Sequence, residues 1–284
     1  MQLTERVMAT SSGDANSPDT IVLINGLWLT ALSWEHWVSH YSAKGYRVIA
    51  RSWPGMEGDI QELRRDPSAI GGLGVEEIVE HYERIVRELD RPPIIIGHSF
   101  GGLITEILLD RGLGAAGVAI DPAPVKGIFV LPFASLKSAF PALKNPFERD
   151  RAVALTLEQF HYGFTNTLSE EETVPIYTRY AVPGPNHVLF QASLANFNPH
   201  AETTVNFRND DRAPLLLIGG GMDHTVPASV TRANFNLFKK SRAVTDYHEY
   251  PDRPHLTIGV PGWEEVADFA LDWAREHAAG KSTA

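Results

Sequence analysis

Cysteine is absent from all 284 residues of the sequence. Its absence excludes disulfide bonds, thiolate nucleophiles and metal sites built on cysteine. Positive charge is also scarce, since 25 Lys and Arg residues face 35 Asp and Glu residues and give a formal net charge of −10. Nucleic acids and anionic membranes repel such a surface, so the composition predicts neither of them as a partner.

Long apolar runs are missing as well. No run approaches the roughly 18 residues that a membrane-spanning helix needs. Residues 1–19 are polar and lack the apolar core of a signal peptide, so we expect them to form a loose arm. With no targeting signal in view, a cytoplasmic location is the default expectation.

Sequence signals for cofactors are equally scarce. No Gly-x-Gly-x-x-Gly follows a strand pattern, and the glycine run at 219–221 lacks the lysine of a phosphate-binding loop. No acidic cluster has the spacing of a metal-ligand set, and no cysteine is available as a ligand. The sequence therefore predicts no cofactor and no metal.

Strand-like and helix-like segments alternate along most of the chain. Patterns of helical spacing predict helices over Ala31–Ala43, Val75–Leu89 and Trp263–Ala278. Short apolar runs predict six strands, at Ile21–Asn25, Tyr46–Ala50, Ile94–Ile96, Ala115–Ile120, Leu215–Ile218 and near Val244–Tyr250. The alternation predicts an α/β fold with a mostly parallel central sheet and helices on both faces.

The alternation fails in one long segment. Residues 125–211 are rich in proline and aromatic residues and contain short helical patterns, such as Arg151–Phe160 and Ser169–Tyr180. No linker-like composition marks either end, which argues against an independent domain. We therefore predict a helical cap over 125–211, inserted into a core formed by 1–124 and 212–284.

Helix-forming residues follow the most informative stretch of the sequence, Ile94-Ile95-Ile96-Gly97-His98-Ser99-Phe100-Gly101-Gly102. A strand, a sharp turn and a helix that carry Gly-x-Ser-x-Gly are typical of a nucleophilic serine on a strained turn. Gly97 and Gly101 avoid the collisions that a Cβ would make with a neighbouring strand or helix. We expect Ser99 to be the nucleophile, with an exposed hydroxyl. Alternation along the strand turns His98 away from it, into a structural role.

A serine hydroxyl needs a base, and the base needs a group that orients it. In folds of this type the acid and then the histidine follow the serine along the chain. His255 lies in the loop before the last predicted helix and is the one histidine of eleven with both the right order and the right loop. We therefore predict His255 as the base.

Two aspartates are candidates for the orienting acid. Asp223 follows the strand pattern at Leu215–Ile218, and Asp121 ends the strand before it. Carboxylates at adjacent strand ends can both reach a loop histidine, so Asp121 stays as an alternative acid. We favour Asp223, because Asp121-Pro122 also has the character of a turn that opens the cap.

Acyl transfer passes through an oxyanion, which needs preorganised N–H donors. The N–H of Phe100 directly follows the serine, and the N–H of Leu27 lies in the turn after the first predicted strand. Gly26 lets that turn bend, and Asn25 is placed to hold it through its side chain. Trp28, together with aromatic residues of the predicted cap, is expected to form an apolar wall for substrate binding.

Taken in order, these motifs resemble the α/β-hydrolase superfamily over nearly the whole chain, and within it the capped bacterial serine esterases and lipase-like hydrolases. The residues that carry the resemblance are Asn25–Trp28, Gly97–Gly102, Asp223 and His255. Asn25 departs from the His-Gly that is usual at the oxyanion turn. The family usually has two further edge strands before this turn, and the polar residues 1–19 are not predicted to supply them.

The resemblance implies the α/β-hydrolase fold and a serine hydrolase that cleaves a small or medium hydrophobic ester or lactone through an acyl-enzyme. It implies no cofactor. Haloalkane dehalogenases and epoxide hydrolases of this fold carry aspartate at the turn, so Ser99 argues against both. A cofactor-free perhydrolase, a C–C bond hydrolase or a lyase stays open, as does a small-molecule receptor without turnover.

Overall fold

Ten helices and eight strands form the part of the chain that the computed structural model describes, residues 18–130 and 132–278. The strands are β1 (Thr20–Ile24), β2 (Arg47–Arg51), β3 (Ile94–His98), β4 (Ala116–Ile120), β5 (Ala152–Val153), β6 (Gly184–Pro185), β7 (Leu215–Gly220) and β8 (Thr245–Tyr250). The helices are α1 (Glu35–Ala43), α2 (Ile60–Arg65), α3 (Val75–Arg87), α4 (Phe100–Asp110), α5 (Phe133–Leu143), α6 (Leu157–Phe164), α7 (Glu170–Tyr180), α8 (Asn186–Leu194), α9 (Ala228–Phe238) and α10 (Trp263–Ala278). The predicted arm lies outside the described residues except for Pro18 and Asp19.

Six of the strands form one parallel sheet, in the order β2-β1-β3-β4-β7-β8. β1, β3, β4 and β7 are buried along their whole length, which explains their nearly uninterrupted apolar sequences. The observed strands lie where the sequence predicts them, and the predicted parallel sheet is confirmed. Within the described residues, no antiparallel strand joins this sheet.

The strand order reverses between β1 and β3. From β1 the chain moves outward to β2 and then returns past β1 to β3. A crevice opens at the carboxyl ends of the strands on either side of such a reversal. Gly26 comes just after β1 and Ser99 directly after β3, so the topology brings both segments to this crevice.

The flanking helices pack in two groups. The hydroxyl of Tyr41 in α1 donates to the carbonyl oxygen of Ala267 in α10 at 2.8 Å. α4 packs against β3 and β4, and its Glu106 side chain bonds Asn234 of α9. Helices therefore cover the sheet on both faces, as predicted. None of the helices in the described ranges is long and apolar enough to cross a membrane.

The chain between β4 and β7 does not join the central sheet. It holds α5 to α8 and the antiparallel pair of β5 and β6, in which Val153 lies opposite Gly184. The predicted helix over Arg151–Phe160 is wrong in its first half, which contains β5. The helix α6 begins later because Thr156 and Gln159 form a capping box at its start.

The second predicted helix of this segment is confirmed as α7. The hydroxyl of Ser169 accepts from the Glu172 N–H at 3.2 Å, and the Glu172 carboxylate accepts from the Ser169 N–H at 2.8 Å. This reciprocal capping explains where the helix starts. We refer to residues 125–211 as the inserted segment; their status as a cap domain stays a prediction.

A carboxyl group lies buried between α4 and α9. Oε1 of Glu106 accepts from Nδ2 of Asn234 at 2.8 Å, while Oε2 has no partner among the described residues. Burial raises the pKa of Glu106 to about 8, although Asn234 and the positive charge of Arg212 oppose the rise. The group is therefore mostly neutral in the folded protein near pH 7 and ionised in the unfolded chain.

Replacing Glu106 with glutamine should stabilise the fold at neutral and alkaline pH. The folded state keeps a proton that the unfolded chain releases above its pKa of 4.5, so wild-type stability falls as the pH rises from there towards 8. Glutamine removes this loss, which is on the order of a few kcal/mol, and still accepts from Asn234. Denaturant unfolding at a series of pH values measures the effect, and equal pH slopes for both proteins would contradict it.

Candidate active site

Ser99 occupies the sharp turn between β3 and α4. Its φ of 56° lies in the left-handed region, which is strained for a serine. Two glycines make the turn possible. A Cβ on Gly97 would lie 2.0 Å from the Gly101 oxygen, and a Cβ on Gly101 would lie 2.1 Å from the Ile24 oxygen. The strained turn that the sequence predicts is therefore present.

Three side chains from three loops form one hydrogen-bonded series. Nε2 of His255 is 3.0 Å from Oγ of Ser99, and Nδ1 of His255 is 2.6 Å from Oδ2 of Asp223. Ser99 follows β3, Asp223 follows β7, and His255 lies between β8 and α10. The structure thus brings together the residues that the sequence predicts as nucleophile, base and acid.

Both oxygens of the Asp223 carboxyl group are held by donors. Oδ1 accepts from the N–H groups of Thr225 and Val226 at 2.6 and 2.8 Å, and Oδ2 faces Nδ1 of His255. Burial raises the pKa of Asp223, and the two backbone donors oppose that rise. Because its oxygens accept from three N–H groups, we assign the negative charge of this cluster to Asp223.

His255 is fully buried. Burial lowers the pKa of its imidazole below the usual 6.5, so the ring is neutral at pH 7. With its Nδ1–H donated to Asp223, Nε2 is left as an acceptor towards the Ser99 hydroxyl. This is the protonation state that a general base requires.

Asp121, the alternative acid, is buried close by and bonds a different group. Its Oδ1 accepts from the Gly220 N–H at 2.6 Å, at the end of β7. Burial, and then the charge of Asp223, raises the pKa of Asp121 well above its usual range. Asp121 is therefore a neutral carboxyl group that holds the end of β7, while Asp223 occupies Nδ1 of His255.

His98 contacts the loop that carries His255. Its Nε2 donates to the His255 carbonyl oxygen at 2.7 Å, and the two rings are 4.8 Å apart. His98, Asp121 and His255 carry potential metal-ligand atoms within 4.8 Å of one another. Both ring nitrogens of His255 are already bonded to Ser99 and Asp223, so we assign structural roles to the other two members, His98 and Asp121.

The loop after β1 lies directly against Ser99. A Cβ on Gly26 would be 2.8 Å from the Cβ of Ser99. Nδ2 of Asn25 donates to the carbonyl oxygens of Leu29 and Gly26 at 2.8 and 3.1 Å. Asparagine at this position therefore pins the loop from within, although the usual motif has histidine there.

The N–H groups of Leu27 and Phe100 donate to no acceptor among the described residues. Both residues are buried, at 2% and 6% exposure. Trp53, which no sequence motif singled out, contacts both the loop after β1 and the residue that follows Ser99. Its indole N–H donates to the backbone carbonyl oxygen of Asn25 at 3.1 Å, and its ring meets the ring of Phe100 edge-on at 6.4 Å. The N–H groups of Leu27 and Phe100 thus lie on a backbone that is held in place and have no acceptor among the described residues, so they are suited to binding an oxyanion.

Trp28 is buried instead of open to a pocket. Its indole N–H donates to the Val153 oxygen at 3.0 Å, and its carbonyl oxygen accepts from the Val182 N–H at 2.9 Å. These two bonds attach the inserted segment to the loop beside Ser99. Sequence reasoning missed this role because both partners are distant in the chain.

Ser99 is only 5% exposed. The expectation of an exposed hydroxyl is therefore wrong, because neighbouring residues close the space around the turn. Phe164 of the inserted segment lies against the histidine loop. Its ring lies edge-on to the imidazole of His255 at 4.9 Å, and its carbonyl oxygen accepts from the Leu256 N–H at 2.9 Å.

Only part of the aromatic content of the inserted segment faces inward. Phe160 and Phe164 stack at 4.7 Å and are buried. The phenylalanines that face solvent instead are Phe129, Phe133, Phe140, Phe147 and Phe197. The expected apolar wall is thus formed by α6 and not by the whole segment.

The chain matches the alpha/beta hydrolase family over residues 21–275. No curated protein matches it in sequence. Among solved structures it is similar to a monoacylglycerol lipase of Paleococcus ferrophilus, with 20% identity, a TM-score of 0.61 and coverage of 92% of this chain and 96% of the lipase.

Two further solved structures show the same fold. A pyrethroid hydrolase from Sphingobium faniae JZ-2 has 20% identity, a TM-score of 0.66 and coverage of 91% of this chain and 98% of the hydrolase. For polyneuridine aldehyde esterase the identity is 16%, the TM-score 0.64, and the coverage 90% of this chain and 99% of the esterase. At such identities the likeness establishes the fold.

Asp223→Asn should lower the turnover of an activated ester such as p-nitrophenyl acetate by about 10⁴-fold, because the amide favours the wrong tautomer of His255. Asp121→Asn is the matched control, since a neutral amide replaces a neutral carboxyl group, and we expect little change. Steady-state kcat of the two folded variants measures the difference. A larger loss in Asp121→Asn would assign the acid to Asp121.

Proposed function

The chain belongs to the alpha/beta hydrolase family, and we propose that it is a serine carboxylesterase for small or medium hydrophobic esters or lactones. The observation that carries the proposal is the hydrogen-bonded series from Asp223 through His255 to Ser99, at 2.6 and 3.0 Å. A nucleophile within reach of a base, which a third group orients, is the arrangement that covalent acyl transfer needs.

Acylation starts from the neutral imidazole. Oγ of Ser99 attacks the ester carbonyl carbon while Nε2 of His255 takes the hydroxyl proton. The imidazolium that forms is stabilised by the carboxylate of Asp223, which remains ionised. The tetrahedral intermediate then collapses, the C–O bond to the alcohol breaks, and Nε2 returns the proton to the leaving alcohol.

The oxyanion of the tetrahedral intermediate is stabilised by two backbone donors. We assign this role to the N–H groups of Leu27 and Phe100, which have no other acceptor among the described residues. Donors that are fixed before the reaction need no reorganisation when the charge develops. The covered position of Ser99 keeps water away and strengthens these contacts.

Deacylation repeats the same steps with water as the nucleophile. Nε2 of His255 takes a proton from water, which attacks the acyl carbon bound to Ser99. The second tetrahedral intermediate collapses, the bond to Oγ breaks, and the serine regains its proton from Nε2. One ester and one water are thus converted to an acid and an alcohol, with no cofactor in any step.

Apolar surroundings support a hydrophobic, uncharged substrate. Buried apolar surface beside the reacting groups comes from Leu27, Trp28 and Phe164. The ring of Phe164 contacts the ring of Trp28 on one side and the imidazole of His255 on the other. A charged acyl or alcohol group would lose its hydration here without gaining a partner. A lipase and an esterase share this fold, which adds support for an ester.

A fluorophosphonate probe should label the wild-type protein at Ser99, and Ser99→Ala should take up no label. The same substitution should lower kcat on p-nitrophenyl butyrate by about 10⁶-fold, because the three side chains act as a unit. Ser33→Ala is the matched control, since Ser33 is equally buried and bonds only the Thr30 oxygen. Mass spectrometry locates the label. Labelling without hydrolysis of acetate, butyrate or octanoate esters would contradict the esterase assignment.

The acid limb of the kcat/KM profile should lie below pH 6.5. Burial lowers the pKa of His255 from that value, so the imidazole stays an effective base to lower pH and loses activity as the pH falls through its lowered pKa. His277→Ala should keep this profile, because His277 stacks on Trp273 in α10, outside the series. Rates on a non-ionisable ester, with folding checked at each pH, test this. A limb above pH 6.5 would refute it.

A further inference from the structure

Exposed apolar side chains are concentrated on one part of the inserted segment. Among the described residues, most of the large hydrophobic side chains that face solvent lie within 129–147 and 194–197. Phe147 is 92% exposed, Phe197 85% and Phe133 79%. Six members of this group, which we call the aromatic patch, are Phe129, Phe133, Leu136, Phe140, Phe147 and Phe197.

The two stretches are neighbours in space. The Asn196 side chain accepts from the Gly127 N–H at 2.7 Å and donates to the Ile128 oxygen at 2.7 Å, which holds the two stretches together. Nδ2 of Asn186, at the start of α8, donates to the oxygens of Ala142 and Glu148. α5 and α8 therefore lie side by side, and both stretches belong to one region of the inserted segment.

Within the patch, α5 presents an apolar stripe. Phe133, Leu136 and Phe140 are three and four residues apart, which puts them on one face of the helix, and all three are exposed. Side chains of this size that share a face amount to an exposed area on the order of several hundred Å². Scattered apolar residues need no explanation, but several large apolar side chains on one exposed helix face indicate a binding surface.

The charge around the patch is opposite in sign to that of the whole chain. Residues 125–151 hold five basic and two acidic side chains, a net charge of +3, in a chain of net charge −10. Residues 186–200 hold no Asp, Glu, Lys or Arg. One of the two acids, Asp150, bonds His187 at 2.6 Å. Lys144 and Arg151 make no ion pair among the described residues.

We propose that the aromatic patch binds an anionic lipid surface, with its phenylalanine side chains in the boundary between headgroups and acyl chains and the basic residues around it on the headgroups. Amphipathic surfaces that combine aromatic and basic residues bind this boundary through buried apolar area together with electrostatic attraction. The net charge predicts repulsion from such a surface for the protein as a whole; around the patch the sign of the local charge is reversed.

A second copy of the chain fits this surface less well. A two-fold dimer would place the same patch on both subunits and bring two net positive surfaces together. Like charges across an interface disfavour association, whereas an anionic surface supplies the opposite charge. Binding to lipid does not require turnover, so this proposal stands apart from the esterase assignment.

Flotation with phospholipid vesicles tests the proposal. All proteins carry Ser99→Ala, so that lipid is not a substrate. The parent should bind phosphatidylcholine vesicles that contain phosphatidylglycerol at low salt, and high salt should weaken binding by screening the basic residues. Phe133→Ser with Phe140→Ser should lower the partition coefficient by about ten-fold or more, because buried apolar area is lost.

Matched variants separate the contributions. Val174→Ser with Val244→Ser removes two exposed apolar side chains elsewhere and should leave binding unchanged. Lys144→Gln with Arg149→Gln should weaken binding to the vesicles that contain phosphatidylglycerol. The same variant should not change binding to vesicles of phosphatidylcholine only. Circular dichroism confirms that each variant is folded.

Three results would overturn the proposal. The first is absence of binding by the parent at low salt, and the second is equal binding by the phenylalanine variant. The third is a concentration-dependent dimer, seen by sedimentation equilibrium, that the phenylalanine variant loses. That last result would assign the patch to a second copy of the chain.

Discussion

The close approach of β1, β3 and α4 around Ser99 is the constraint on which the site depends. Gly97 and Gly101 allow backbone distances that any Cβ would prevent, and this room lets the serine keep its positive φ. The Ser99 N–H donates to the Ile120 oxygen at 2.9 Å, which ties the turn to β4. Because the strands are parallel, the loops after β1, β7 and β8 end at the same edge and meet this serine.

Burial of titratable groups gives that edge its electrostatic character. An unpaired charge would be costly in this buried region. Of the three titratable groups Asp223, Asp121 and His255, we assign a charge to only one. Asp223 holds its charge because three N–H groups donate to it, while Asp121 and His255 are neutral through burial. The remaining negative charge faces the imidazole, at the position where the proposed mechanism develops positive charge during proton transfer.

Two helices of the inserted segment have different surroundings. α6 is attached to the loops of the site: the Gly163 oxygen accepts from the Thr225 hydroxyl at 2.8 Å, and the Phe164 oxygen accepts from the Leu256 N–H. α5 lies at the surface, with the stripe that includes Phe133 and Phe140 in solvent. One segment therefore contacts the loops of the candidate site through α6 and presents an exposed apolar face through α5. The surface that we propose to bind lipid and the contacts with the site thus lie on different helices.

The sequence by itself determined most of the strands and helices and indicated the candidate residues of the site. Strands that are buried in a parallel sheet are continuous apolar runs, and a strained serine turn needs glycines beside it. The strand at Ile94–Ile96 and the turn at Gly97–Gly101 can therefore be predicted from the sequence. Chain order and loop position likewise indicated His255. The choice between Asp223 and Asp121 was open, because both end a strand and only the tertiary structure shows which carboxylate reaches Nδ1 of the imidazole.

The tertiary structure also decided which aromatic side chains face inward. Phe164 and Phe133 both lie in short helices of the inserted segment, yet one contacts the imidazole and the other is in solvent. Likewise, only the tertiary structure shows that the Trp28 indole bonds the Val153 oxygen. Local sequence patterns fix the period and the ends of an element, since those depend on near neighbours. Which face is covered depends on partners far along the chain, and no local pattern records them.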